Sequence, residues 1–300
     1  MLPTSEKPVP RRLIGRSAAA AHIAALTAAA LLVPGAFARA DTSTSSNWAG
    51  YAAHRTGTTF RTASASWRQP GGSCATAIDD GYSAFWVGVG GYRAGSDALE
   101  QIGTELDCAS DGVATLAAWY ELVPAASRAI HLTVRAGDRV TASVAIAGAK
   151  VTLRLADVTR KESFARTITD HDLDLGSAEW VAEAPSQCLG SNCAVLPLAD
   201  FGTVHFLNAG AVTSTGRRAA VRSSHWTTTR ITLGDSQRTL SSGDVVSTTR
   251  VTAKPSALTA ASGAFSVAYA ATTSTSTRGG GAPAPIGAGG PPTSTARVSR

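Results

Sequence analysis

Between Asn47 and about Ala271, apolar and polar positions alternate in short runs, and each run is broken by Gly, Asp, Ser or Pro before a helical repeat can establish itself. The segments FRTASASWRQP, SAFWVGVGGY, LAAWYELVP, AIHLTVRAGDRVTASVAI, KVTLRLADVTR, SAEWVAEAP, GTVHFLNAGAV and AFSVAYAA read as strands. Turn chemistry separates them, as at Ala136-Gly137-Asp138 and Ser242-Gly243-Asp244. In SAEWVAEAP, a period of two puts Glu179, Val181 and Glu183 on one face and Ala178, Trp180 and Ala182 on the other. Many short strands without intervening helices predict an all-β fold, a sandwich of two stacked antiparallel sheets.

The two ends depart from this pattern. Lys7, Arg11, Arg12 and Arg16 precede an uncharged Ala/Leu-rich run from Ala18 to Val33, then Pro34-Gly35 and a small-x-small site at Ala38-Arg39-Ala40. Residues 1–40 therefore read as a signal peptide for export, with no membrane anchor expected in the chain that follows. After about Thr272 the composition turns to Ser, Thr, Gly, Pro and Arg, which predicts a disordered tail over 272–300 and leaves 41–271 as the folded domain. The chain carries 27 Lys+Arg against 21 Asp+Glu; removing the leader's five basic residues and one acidic residue leaves 22 against 20. A nearly neutral body without a basic block argues against a nucleic-acid partner. Cys74, Cys108, Cys188 and Cys193 are an even set in an exported chain, so disulfides are expected. Cys188 and Cys193 could close a short loop and leave Cys74 for Cys108, although three connectivities are open. The cysteines have no histidine at ligand spacing, so no metal site is expected.

Candidate chemistry lies in the strands. No G-x-S-x-G elbow, H-E-x-x-H or P-loop is present, and the histidines are scattered. What stands out is a set of aromatic, acidic and glycine positions: Trp48 and Gly50 in NWAGY, Trp86 in FWVGVGGY, Leu99, Gln101, Gly103 and Glu105 alternating in LEQIGTELDC, Trp119 and Glu121 in AAWYELVP, and Glu179 and Glu183. Together they could line a cleft with aromatic walls and an acidic floor.

These stretches, with SNWAGY and ADFGTVHFLNA, resemble in order and spacing the eqolisins, the G1 glutamic peptidases, and their bacterial members in particular. The resemblance implies a concanavalin A-like β-sandwich with a substrate groove on one sheet face. Its catalytic pair would be Gln101, from the family's L-Q-x-G-type motif, and Glu179, from its A-E-W motif. It further implies a secreted, monomeric acid endopeptidase acting on polypeptides without a cofactor and insensitive to pepstatin. Trp48, Gly50, Trp86, Gly103, Glu105, Trp119, Glu121 and Glu183 would then be substrate-groove positions. The chain departs from the fungal members at Gly90, where they have an aspartate, and at Val123, where they have an aromatic. Two other readings fit the same groove: a carbohydrate- or peptide-binding module, and a retaining glycosidase. The second needs carboxyls about 5 to 5.5 Å apart, whereas Glu179 and Glu183 on a regular strand lie roughly 13 Å apart.

Overall fold

A computed structural model describes residues 41–74, 80–189, 192–234, 250–258 and 263–272. The leader, the tail beyond Thr272 and the Ser242-Gly243-Asp244 turn lie outside the described residues. In chain order the strands are β1 (Asp41–Ser45), β2 (Trp48–His54), β3 (Phe60–Arg68), β4 (Gly81–Gly90), β5 (Leu99–Cys108), β6 (Ala114–Val123), β7 (Arg128–Ile130), β8 (Arg139–Ala147), β9 (Lys150–Asp157) and β10 (Glu162–Thr169). They continue as β11 (Ser177–Glu183), β12 (Ser186–Leu189), β13 (Asn192–Val195), β14 (Thr203–Thr213), β15 (Arg218–Ala220), β16 (Thr227–Leu233), β17 (Arg250–Pro255) and β18 (Phe265–Thr272). There is no α-helix among the described residues.

The two layers of the sandwich are one continuous ribbon rather than two separate sheets. Its order is β10-β9-β8-β3-β14-β18-β17-β16-β2-β11-β4-β5-β6-β7. The join is β14, which pairs with β3 in one layer and β18 in the other. A register shift between Leu207 and Gly210, with Asn208 at φ 54°, bends the strand there. Nearly all pairings are antiparallel, the exceptions being β1 alongside β16 and an isolated bridge between Tyr82 and Leu198.

Alternation decides which side chains enter the space between the layers. Phe85, Val87, Ile102, Leu106, Tyr120 and Trp180 from the β2–β7 layer meet Trp67, Val140, Val144, Leu153, Leu155 and Phe206 in one buried cluster. Two tryptophans also cross between layers by hydrogen bonds: Trp180 Nε1 donates to the Ser64 carbonyl at 2.9 Å, and Trp67 Nε1 to Thr104 Oγ1 at 3.0 Å. A buried indole must satisfy its N–H, so these bonds fix the two layers against each other as well as filling the core. Disulfides join Cys74 to Cys108 and Cys188 to Cys193.

The outer face of the β2–β11–β4–β5–β6 region is built differently. Ala84, Trp86, Leu99, Trp119 and Val181 form a second buried cluster there, with Trp48 and Val123 packed against it. This is the face on which the sequence placed its candidate residues.

Candidate active site

Strand order brings the candidate residues into rows. β11 lies between β2 and β4, and β4 is followed by β5 and β6. Residues directly opposite on neighbouring strands point to the same side of a sheet. One row runs Glu121, Gln101, Gly88, Glu179, Ala52. The next runs Trp119, Gly103, Trp86, Val181, Gly50, and the one after it Ala117, Glu105, Ala84, Glu183, Trp48. All ten sequence-derived catalytic and groove positions therefore share one face of five adjacent strands.

Gln101 and Glu179 are separated by Gly88 alone. Two strand spacings put their backbones about 10 Å apart, within the combined reach of a glutamine and a glutamate, and the glycine leaves the space between them without a side chain of its own. That space is narrow: a Cβ on Gly88 would lie 2.9 Å from both Leu99 Cδ1 and Trp86 Cζ3. The Trp86 ring and the Leu99 methyl thus lean over the slot between the two polar side chains. In this arrangement Glu179 is wholly buried and Gln101 is 4% exposed.

The polar atoms of the row are unevenly satisfied. Gln101 Nε2 donates to Glu121 Oε2 at 2.7 Å, while Gln101 Oε1 has no hydrogen-bond partner. Neither carboxylate oxygen of Glu179 has one. Burial therefore pushes the Glu179 pKa well above the usual carboxylate range; the nearby Ser177 hydroxyl opposes this, and the charges of Asp174 and Glu100 add to it. Burial also raises Glu121 to about 8, with the Glu183 charge contributing and bonds from Gln101 and the Ser127 backbone N–H opposing.

Glu183 is engaged elsewhere. Trp86 Nε1 donates to its Oε2 at 2.7 Å and Asn47 Nδ2 to its Oε1 at 3.0 Å, while Trp48 and Trp86 meet edge to face at 5.0 Å. Glu183 thereby holds the aromatic wall in place, and burial, partly offset by these donors, raises its pKa to about 7. β11 pairs with β4 without interruption from Ala178 to Glu183, so no bulge shortens the separation of the two glutamates and the glycosidase geometry is not met.

Several contributors were invisible in the linear sequence. FWVGVGGY offers Gly88, near Trp86, as a glycine that a ligand could approach, but its place between Gln101 and Glu179 comes only from strand pairing, and Asn47 is in sequence only the residue before a tryptophan. Asp174 is held by Ser96 Oγ at 2.6 Å, the Gly176 N–H at 2.8 Å and Arg93 at 2.9 Å; these outweigh its burial and keep its pKa below the ordinary value. Glu100 faces the core between Val89 and Leu122, fully buried with neither oxygen hydrogen-bonded to another residue, and burial raises it to about 8. Beside the row, a cleft of ≈ 770 Å³ opens between Ser43–Trp48, Gly91–Ala94 and Ile231. Among the described residues no cluster of His, Cys, Asp and Glu has the arrangement of a metal site.

Solved glutamic peptidases share this β-sandwich fold. The solved structure of scytalido-glutamic peptidase with a transition-state analog inhibitor matches this chain with a TM-score of 0.58 and 24% identity, over 75% of this chain and 98% of that one. SCP-B, a member of the eqolisin family solved in complex with the tripeptide Ala-Ile-His, matches with a TM-score of 0.53 and 22% identity over the same shares. No curated protein sequence matches. The model of the Peptidase A4 family matches residues 46–255, and the chain belongs to that family, the eqolisins, as a peptidase of their type.

Proposed function

We propose that this chain is a secreted acid endopeptidase in which Gln101 and Glu179 hold and activate a water molecule over Gly88. The observation that carries the proposal is the shared row: two polar side chains, distant in sequence, face each other across the one residue that cannot come between them.

Catalysis begins with the opening of the slot. Movement of Trp86 and Leu99 admits water and the scissile peptide, which restores solvation to Glu179 and lets it ionise. The carboxylate takes a proton from the water as its oxygen attacks the peptide carbonyl carbon. An N–H of Gln101 donates to the oxyanion that develops, and being an amide it does so at any pH. Glu179, now protonated, gives that proton to the leaving nitrogen as the C–N bond breaks, and the carboxylate is regenerated. No step calls for a metal or another cofactor, and no step uses the two-aspartate arrangement, since one carboxylate suffices beside an amide.

Acid suits the rest of the face. Burial raises the pKa of Glu121 to about 8 and that of Glu183 to about 7, so acid keeps negative charge on this face low. The leader and the two disulfides support an extracellular site of action.

The test is hydrolysis of a denatured protein between about pH 2 and 7 by the form beginning near Asp41, with and without pepstatin. Pepstatin-insensitive cleavage that falls by about 10²-fold or more in both Glu179→Gln and Gln101→Ala is the expected result. Cleavage unaffected by either change, or none at any pH, would overturn the proposal.

A further inference from the structure

Glu121 lies on the outer side of Gln101, away from the slot, and that position gives it a different part in the reaction from the one its motif suggested. We propose that Glu121 is a positioning residue: it fixes the rotation of the Gln101 amide and so decides which amide atoms are presented to the space above Gly88. The inference rests on the Gln101/Glu179 reading of the site.

The two residues are direct cross-strand partners of β5 and β6 on the same face. A glutamine amide turns about its last bond over a broad, roughly two-fold energy profile, and the turn exchanges an N–H donor for a carbonyl acceptor at nearly the same point. Nothing in the glutamine itself chooses between the two. Here the choice is made by the 2.7 Å bond from Nε2 to Glu121 Oε2, the oxygen that accepts in the carboxylate and, as the carbonyl oxygen, in the neutral acid with its O–H on the other oxygen. With one N–H committed to Glu121, the second N–H is left for an oxyanion and Oε1 for a proton of the attacking water. Oε1 is indeed the atom left without a partner.

Glu121 is itself well held. Its side chain is 3% exposed, and the Ser127 backbone N–H supplies a further bond from the loop after β6. A buried carboxyl with two fixed donors has little freedom to follow Gln101 if the amide turns, so the restraint acts in one direction. Substrate contact, the alternative role for Glu121, would show itself in KM; a positioning role shows itself in kcat.

The experiment uses Glu121→Leu, which removes the acceptor, and Glu121→Gln, which keeps the shape and an acceptor oxygen, each alone and combined with Gln101→Ala. The Gln101 side-chain NH₂ signal is followed by NMR in the same proteins. The expected result is a fall in kcat of roughly 10- to 100-fold in Glu121→Leu with KM within about twofold, and partial recovery in Glu121→Gln. In the Gln101→Ala background the Leu change should cost almost nothing further, because both substitutions remove the same contribution. The Gln101 NH₂ signal should shift in Glu121→Leu.

A raised KM at unchanged kcat, independent multiplicative losses in the double variant, or an NH₂ signal indifferent to Glu121→Leu would overturn the proposal. Failure of the peptidase reading looks different: wild-type protein that does not hydrolyse, or Gln101→Ala that remains fully active, removes the catalytic role of both residues together, whatever the NMR signal does.

Discussion

At the scale of single residues, the proposed site depends on what is missing at Gly88 as much as on what is present at Gln101 and Glu179. A methyl group there would sit 2.9 Å from Leu99 Cδ1 and Trp86 Cζ3 and 3.3 Å from the Glu100 carbonyl oxygen. The neighbours are side chains that can yield, so the fold should survive Gly88→Ala at a cost of about 1–3 kcal/mol. The slot should not: we expect peptidase activity to fall by at least about 10²-fold while thermal denaturation stays cooperative. Activity within a few-fold of wild type would show that the water does not sit over Gly88. Glu183 illustrates the opposite case, a residue whose chemistry looks catalytic on a strand diagram but whose oxygens are taken up by Trp86 and Asn47.

At the scale of elements, β11 is the piece on which the site turns, because it carries Glu179 and is inserted between β2 and β4. Its fit against β2 requires Gly50, which has φ 155° and a Cβ position directed into the Trp180 carbonyl oxygen. Gly50→Ala meets backbone rather than a flexible side chain, so it should lower the thermal midpoint more than Gly88→Ala does. Comparison of the two melting curves checks this. The disulfides act on different elements. Cys74–Cys108 spans 34 residues and ties the end of β5 to the segment before β4, whereas Cys188–Cys193 spans 5 and closes the β12–β13 hairpin. Loop-closure entropy gives about 4 kcal/mol for the first and about 2 for the second. Replacing Cys74 and Cys108 together by serine should therefore destabilise more than replacing Cys188 and Cys193, as measured by denaturant unfolding.

At the scale of the whole molecule, six carboxyls shift in the same direction. Burial raises Asp107 to about 6, Glu183 to about 7, and Glu100 and Glu121 to about 8, and it raises Glu179 and Asp157 as well. The folded protein thus binds more protons than the unfolded chain, whose carboxyls titrate near 4.5 or below. Stability from these groups is fully present below about pH 4.5 and is lost as pH rises through 6, 7 and 8. Asp174, with its pKa lowered, works in the other direction: its contribution is present above the ordinary aspartate value of 3.8 and is lost as pH falls below it. The thermal midpoint should accordingly be higher at pH 4 than at pH 8 by roughly 10 °C or more, read by calorimetry across that range. A midpoint that rises toward pH 8 would contradict it. A fold that prefers its carboxyls neutral fits the acid activity proposed above.

The sequence by itself determined the fold class, because alternation with a period of two and turn residues at short intervals are local properties that every strand carries in its own residues. It also determined which residues of each strand share a face, as in Glu179, Val181 and Glu183, and the motif resemblance singled out Gln101 and Glu179. What it could not determine is which strands are neighbours. The meeting of Gln101 and Glu179 over Gly88, the bond from Gln101 to Glu121, the capture of Glu183 by Trp86, and the burial of Glu100 all follow from the order β2-β11-β4-β5-β6. That order is set by long-range pairing and by the packing of one layer on the other, and no stretch of sequence records it. The groups whose environments changed most are the charged ones, since a carboxyl's behaviour is decided by the water it loses, and only the tertiary structure removes that water.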